Sequence, residues 1–332
     1  MLYGWIWIYV NFADDVFVKE KMTMSTMLAK TWNYLHQATT QDPAPGWNVP
    51  TKEQRHHLPS GLASWLHQVT ACLDKEEERE LVSRQLQLVT ARLSQKSVSG
   101  GVASDCLVRL VTMHLLGHDT SAAYIHCVKL AGAGSVLGRK MGYLACSVMV
   151  PPSHELLLLV TNTILRDLAS TNLVDIQLGL VAAANLVTSC QLQLVPVLLE
   201  RALCLLRHNS HLVRKKSLVL VDHLCGLDPA QWRGAAGAVI SVLGDTNPGV
   251  ATASVQVLAR RLAPSDGAAV VRLAVSTALE VQETVARAAS SGALPPDYLY
   301  RGHPAPHLQI YCTALYRRDP DTVTADSQLS DR

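Results

Sequence analysis

The chain has 332 residues, of which 48% are hydrophobic and 17% charged, and its formal net charge is +2. A charge this close to zero gives no case for nucleic-acid binding, and the length suits one elongated domain or two compact ones. Aromatic residues make up only 5% of the chain, so small and branched aliphatic side chains must fill its core. The eight cysteines form no Cys-x-x-Cys pair, which indicates mostly buried, reduced thiols in a cytosolic protein.

Residues 1–60 differ in composition from the rest and begin with the apolar run MLYGWIWIYV. This run lacks the basic segment and the small-residue cleavage site of a signal peptide. It is also about half as long as the roughly 20 residues that a membrane-spanning helix needs. We therefore expect residues 1–60 to be a poorly ordered or atypical extension.

From about residue 61 the apolar spacing is helical, and breaks recur every 15–20 residues. An acidic run at 74–80 is typical of an exposed helix face, where Glu80 can pair with Arg84. Further along, Asp228-Pro229 and Asn247-Pro248 each place a capping side chain before a proline at the first helical position.

Similar segments recur along the chain and share landmark valines about 38 residues apart: Val136, Val174, Val213 and Val250. A period of this length with two helices per repeat is typical of HEAT and armadillo proteins, in which stacked repeats share one continuous core. The sequence therefore predicts an all-α fold, a right-handed α-solenoid of such helix pairs.

The segment 138–170 carries two apolar runs on either side of Pro151-Pro152. The 38-residue period predicts that these runs are consecutive solenoid helices joined by a turn. At 100° per residue the second run has one apolar stripe, formed by Leu157, Val160, Ile164 and Leu168. Leu159 lies off that stripe among polar residues, and the spacing leaves open whether a neighbouring helix covers it. An exposed Leu159 is a candidate contact for a partner.

Three patterns resemble catalytic or metal-binding motifs but lack their context. The glycine-rich segment 132–138 follows a helical stretch and not a strand, and its spacing departs from the phosphate-binding loop, which favours an interhelical turn. The pairs His118-Asp119 and Asp222-His223 have no nucleophile motif nearby, and Asp119 suits a helix cap. Histidines and cysteines lack zinc-ligand spacing. We predict no enzyme activity, no metal and no cofactor.

The densest basic cluster is Arg214, Lys215 and Lys216. One interpretation is a solvated helix start within a repeat, and the other is contact with acidic lipid headgroups or an acidic partner surface. Each basic residue near an anionic membrane adds on the order of 1 kcal/mol, so three alone would not anchor the protein.

Several segments, taken together and in order, resemble the large-chain trunk of adaptins from clathrin-adaptor-type complexes. They include Leu-Gly-His-Asp at 116–119 and the stretches 123–130, 139–144, 160–164, 167–170 and 213–216. The resemblance runs from about residue 61 to the end. Residues 294–300, LPPDYLY, and the following Pro-Ala-Pro at 304–306 are most similar to the epsilon subunit of the fourth adaptor complex.

The chain departs from the adaptin pattern at a few positions. His307 stands where the family usually has tryptophan. Residues 103–105, Ala-Ser-Asp, replace the basic run that binds phosphoinositide in alpha subunits, and Thr70 replaces an arginine that favours acidic dileucine cargo signals. That lipid site should be missing, and the cargo contact is in doubt. Both losses fit an epsilon-like chain.

The resemblance implies a large-subunit scaffold of a heterotetrameric adaptor complex in vesicle-mediated intracellular protein transport. Its partners would be beta, mu and sigma subunits and an Arf-family GTPase, at the cytoplasmic face of trans-Golgi network and vesicle membranes, where the complex sorts transmembrane cargo. In the related gamma trunk an apolar face docks the GTPase, and the matching positions are Ile125, Val128 and Leu159. Nucleic acid and small-molecule substrates are not implied.

The resemblance also sets the expected domain boundaries: an incomplete trunk over 61–318 and a disordered tail over 319–332. An adaptin large chain continues beyond this point, so we expect a truncated chain. Two alternatives stay open. One is another HEAT-repeat scaffold of the coatomer or nuclear-transport kind, and the other is an enzyme that uses the turn at 132–138.

Overall fold

A computed structural model describes residues 62–95 and 98–317. The predicted extension at 1–60 and the predicted tail at 319–332 lie outside the described residues. Within them the fold is all-α, as predicted. Thirteen α-helices follow one another: α1 Leu62–Ala71, α2 Lys75–Leu93, α3 Gly100–Leu115, α4 Tyr124–Ala131, α5 Val136–Met149, α6 Leu156–Leu168, α7 Leu173–Leu186, α8 Val195–Leu205, α9 His211–Leu227, α10 Trp232–Ser241, α11 Pro248–Arg261, α12 Ala268–Ser290 and α13 Pro306–Tyr316.

Short elements join several of these helices. Two strands, β1 Leu299–Tyr300 and β2 His303–Pro304, pair as an antiparallel hairpin before α13. The remaining connections include 3-10 helices at Ser121–Ala123, Ser189–Leu194, Pro229–Gln231, Pro264–Asp266 and Pro296–Tyr298. In the described part of the chain, no helix is both long enough and apolar enough to cross a bilayer.

The described residues divide into two compact units, one up to Val160 and one from Thr161, with the boundary inside α6. In the first unit α1 packs on α2, α2 on α3, and α4 on α5, while α3 also contacts α5. In the second unit α7, α9, α11 and α13 contact one another in succession and form one layer. The helices α8, α10 and α12 each pack on the following helix of that layer, and α10 also contacts α12.

This arrangement confirms the predicted α-solenoid of stacked helix pairs. The helices that begin at Val136, Leu173, His211 and Pro248 are the ones that carry the recurring valines in their first turns. The repeat is visible in the sequence because each of these helices carries an apolar residue at a similar place in its first turn.

The core is built mainly from small and branched aliphatic side chains, as the composition requires. The predicted stripe of α6 is buried throughout, since Leu157, Val160, Ile164 and Leu168 are each less than 5% exposed. Five of the eight cysteines are buried and none forms a disulfide. Burial raises the pKa of the Cys127 thiol to about 12, so this thiol stays protonated.

A close approach of α5 to α4 depends on Gly142. A Cβ atom at this position would lie 2.1 Å from the backbone nitrogen of Ala131 in α4. Only glycine allows the two helix backbones to pack this tightly.

Helix caps follow the sequence signals. The Asn247 side chain accepts hydrogen bonds from the backbone N–H groups of Gly249 and Val250, and Pro248 occupies the first helical position of α11. Asp228 accepts from Ala230 at 3.2 Å before the 3-10 helix that leads into α10. The predicted pair of Glu80 and Arg84 also forms, at 2.9 Å on the exposed face of α2.

Polar side chains connect successive helix pairs in the second unit. Arg261 of α11 donates to the carboxylate of Asp222 in α9 at 2.6 Å and to its backbone carbonyl at 2.9 Å. His223, also in α9, donates to the backbone carbonyl of Val187 at the end of α7 at 2.8 Å. These bonds join specific turns of neighbouring helices, so they fix the register in which the pairs stack.

Two histidines contribute to the interior of the first unit in their neutral form. His114 of α3 lies 3.2 Å from the buried Thr120 hydroxyl through Nδ1, and its pKa is lowered by burial despite a hydrogen bond to the backbone of Val148. Burial, together with the nearby Lys129 ammonium, also lowers the pKa of His126.

Gly234 and Gly237 offer a test of helix propensity against packing. Both are exposed in α10, and an added Cβ would meet no atom within 4 Å. Changing each to Ala should raise the free energy of unfolding by about 0.5–1 kcal/mol, because alanine reduces the entropy of the unfolded chain. Gly142→Ala should instead lower it by about 3 kcal/mol or more through the backbone clash. Urea denaturation of the three variants measures all of these effects.

The lowered pKa values of His114 and His126 predict how the stability of the fold depends on pH. Their folded-state pKa values lie below the unfolded value of about 6.5, so the unfolded chain binds more protons below that pH. The free energy of unfolding should therefore fall as the pH drops from 7.5 to 5.5. In a His114→Gln, His126→Gln double variant this fall should be smaller. An identical pH profile for the double variant and the parent chain would contradict the assignment.

Candidate docking surface on helices α4 and α6

The start of α4 is fixed by the turn that carries Leu-Gly-His-Asp. Gly117 has a φ of +92°, a conformation that favours glycine, and the next backbone N–H, that of His118, donates to the carbonyl of Met113. Asp119 then accepts from the N–H of Ser121 at 2.9 Å. Asp119 thus has the predicted capping role, at the 3-10 helix that leads into α4, and its hydrogen bonds with the backbone and side chain of Ser121 lower the pKa of its carboxyl.

The start of α6 depends on His154. Its Nδ1 accepts from the N–H of Leu156 at 3.2 Å, and its backbone carbonyl accepts from Leu157 at 3.1 Å. The ring of His154 also meets the ring of Tyr124 edge-on, with 5.4 Å between their centres. This contact places the first residue of α4 beside the segment that leads into α6.

The three residues predicted for GTPase docking lie on these two helices. Leu159 is 52% exposed and Ile125 is 38% exposed, whereas Val128, one turn after Ile125, is half-buried. The structure thus answers the question that the helical spacing left open for Leu159: it reaches the surface. Val128 is partly covered and contributes less accessible area than the other two.

Sequence reasoning missed one residue of this surface. Leu158 is 49% exposed and stands beside Leu159 in the first turn of α6. The projection of this helix at 100° per residue could have identified Leu158, because it lies 100° from Leu157 and outside the centre of the buried stripe. We call Ile125, Val128, Leu158 and Leu159 the α4/α6 face.

Exposed polar residues flank the α4/α6 face in the sequence. Lys129 is exposed one turn after Ile125, Glu155 is exposed just before α6, and Asn162 is exposed one turn after Leu158. His126, next to Ile125, is buried. Exposed aliphatic side chains with a polar border suit contact with another protein.

Both histidine–aspartate pairs of the sequence use their side chains elsewhere. His118 Nε2 lies 2.8 Å from the carboxylate of Glu78 in α2, while its neighbour Asp119 caps the next helix. Asp222 binds Arg261 and His223 binds a backbone carbonyl. In neither pair does the aspartate orient the adjacent imidazole, which is the geometry that an acid–base dyad needs.

The glycine-rich segment 132–138 forms the turn between α4 and α5, as predicted, together with the first residues of α5. The Ser135 hydroxyl caps α5 by accepting from the N–H of Gly138 at 3.1 Å. This N–H is one that a phosphate loop would direct at its ligand. Across the described residues, no group of three or more metal-ligating side chains comes together.

The basic cluster lies at the start of α9 and its side chains have partners there. Arg214 binds both carboxylate oxygens of Asp245, at 2.6 and 2.8 Å, and donates to the carbonyls of His208 and Asn209. Lys216 is buried. Contact of Arg214, Lys215 and Lys216 with an acidic surface stays a prediction, but the charge of Arg214 is already neutralised within the fold.

Comparison with known proteins gives matches over this helical region. Residues 78–326 match the Adaptin N terminal region. The chain is 31% identical over 287 residues to the AP-4 complex subunit epsilon-1 of Homo sapiens, which covers 86% of this chain and 24% of that protein. It is 28% identical over 236 residues to the AP-4 complex subunit epsilon of Arabidopsis thaliana, and this match covers 71% of this chain and 24% of that protein.

A more distant relative is the AP-3 complex subunit delta-1 of Bos taurus, 27% identical over 190 residues, or 56% of this chain and 15% of that protein. The chain thus spans about a quarter or less of the length of these relatives. The resemblance to adaptin trunks, and to epsilon subunits among them, is confirmed. Because the family match covers most of the stacked helix pairs, the chain belongs to the adaptin family.

Proposed function

We propose that the chain is part of the large-subunit scaffold of a heterotetrameric adaptor complex in vesicle-mediated intracellular protein transport. The observation that supports this proposal is the match of residues 78–326 to the Adaptin N terminal region. The described part of this range consists of consecutive, stacked helix pairs. A solenoid of this kind presents extended surfaces, since each repeat contacts only its neighbours and leaves its outer side free for partners. The partners proposed are beta, mu and sigma subunits.

The proposed place of action is the cytoplasmic face of trans-Golgi network and vesicle membranes. There the complex would sort transmembrane cargo and associate peripherally, recruited by an Arf-family GTPase in its GTP form. The epsilon-like segments at 294–300 and 304–306 support this choice among adaptor complexes.

The α4/α6 face is the proposed GTPase contact. Ile125, Leu158 and Leu159 expose aliphatic carbon at the surface of two helices whose starts lie side by side. Apolar side chains in such a position contribute to binding by losing their contact with water. Their exposure also means that the fold does not need them for its core.

Assembly with a small subunit tests the scaffold proposal. A sigma-type subunit of the same adaptor complex, co-expressed with the chain, should co-purify with it at a fixed ratio through size-exclusion chromatography. Circular dichroism of the same sample must show a folded helical chain. A folded chain that never retains the sigma subunit would favour the alternative, a HEAT-repeat scaffold of the coatomer or nuclear-transport kind.

Leu159→Glu tests the docking surface. The change should weaken binding of an Arf-family GTPase loaded with a non-hydrolysable GTP analogue by about tenfold or more, because a central apolar contact is replaced by a charge. The unfolding free energy should change by less than about 0.5 kcal/mol, since the side chain is exposed. Titration by biolayer interferometry and urea denaturation measure the two effects.

Leu273→Glu is the matched control for that experiment. Leu273 is a leucine of nearly equal exposure, 54%, on α12 in the other unit. It should leave GTPase binding unchanged. Equal losses in the Leu159 and Leu273 variants, or no loss in either, would rule out the α4/α6 face as the docking surface.

A further inference from the structure

The β1–β2 hairpin ends in an unusual turn. The pairing of Tyr300 with His303 leaves a two-residue loop, Arg301-Gly302, and both residues have positive φ, +51° and +81°. Tight hairpins with this backbone favour Asn-Gly or Gly-Gly, because a side chain at the first position is strained. Arginine there costs about 1–2 kcal/mol relative to a residue that tolerates the left-handed region.

The hairpin is held firmly enough to maintain this strain. Tyr298 donates its hydroxyl proton to the carbonyl of Thr246 at 3.1 Å, and Gln309 of α13 donates to the carbonyl of Pro304 at 2.8 Å. The strand β2 also packs against α12. The fold therefore fixes the position of the turn, and nothing in this packing requires an arginine at its tip.

The tip arranges three side chains in a row. The Arg301 guanidinium lies 5.6 Å from the centre of the Tyr300 ring, and that ring lies 5.5 Å from the ring of His307. The distance from Arg301 to the Tyr300 ring is within the roughly 6 Å range of a cation–π contact, and the arginine stays exposed. All three residues are exposed. Among the side chains that the structure describes, no carboxylate pairs with Arg301.

The surroundings of the tip combine further polar side chains with apolar area. Two exposed histidines, His303 and His307, follow Arg301 within six residues. Leu299 and Tyr300 are about half exposed, and Ile310 of α13 is 63% exposed. Tyrosine and arginine beside exposed aliphatic carbon are the composition of protein–protein contact centres.

We infer that the Arg301 tip is a recognition site for a segment of a partner protein that carries a carboxylate beside apolar side chains. The guanidinium would bind the carboxylate through two parallel hydrogen bonds, and Tyr300, Leu299 and Ile310 would cover the apolar neighbours. The exposed apolar carbon favours a protein over a membrane surface, since headgroup binding depends on several basic residues and gains little from it. The inference does not depend on the α4/α6 face or on any adaptor subunit.

The experiment uses two labelled peptides of eight residues, one alternating Glu with Leu and Phe and the other with Gln at each Glu position. Fluorescence anisotropy should show the acidic peptide binding the whole chain at least about tenfold more tightly than its Gln counterpart. Arg301→Asn should remove that preference while the unfolding temperature stays equal or rises, because asparagine tolerates a positive φ. Arg301→Lys, which keeps the charge without the planar fork, should bind with intermediate affinity.

The control is Arg272→Gln, at an exposed arginine of α12 that donates to the backbone carbonyl of Ala268 in its own helix, and it should bind like the parent chain. Equal affinity for the two peptides, or undiminished binding by Arg301→Asn, would overturn the inference. So would binding only to phosphatidylserine-containing vesicles, which would assign the tip to a membrane surface.

Discussion

Each helix pair in this protein has an apolar side that only the next pair can cover, and the rest of the structure depends on that requirement. A pair such as α4 and α5 packs tightly because Gly142 lets the two backbones meet, yet α5 still needs α3 against its other side. The same need recurs along α7, α9, α11 and α13. Small and branched aliphatic side chains fill most of these repeated interfaces, where interiors pack at high density.

Apolar stacking alone does not set which turn of one helix meets which turn of the next. In the second unit buried polar bonds do so, and they use charges that look available in the sequence. Asp222 and Arg261 bind across α9 and α11, and Arg214 binds Asp245. Removing one partner of such a pair leaves a buried charge without compensation. The basic residues at the start of α9 thus have a structural role that their clustering in the sequence does not reveal.

The proposed contacts with other molecules lie at the surface of the described chain. Two surfaces stand out for opposite reasons. The α4/α6 face exposes aliphatic side chains on regular helices, where a polar residue would cost the fold nothing. The Arg301 tip retains a residue that strains its turn, where Asn or Gly would be easier to accommodate. In both places the fold does not require the residue that is present, and this is the basis of the two proposals.

The amino-acid sequence determined the helix pairs, their period, the caps at Asp119, Asp228 and Asn247, and the buried stripe of α6, because these follow from spacing and short-range hydrogen bonding along one segment. It did not determine whether Leu159 or Leu158 reaches the surface, since the cover over a flank of α6 comes from other helices. Nor did it give the partner of Arg214 or the strained turn at Arg301. The partner of Arg214 lies about 30 positions away in the sequence, and only the packed chain brings the two residues together. The positive φ of Arg301 is set by the pairing of the two strands on either side of it.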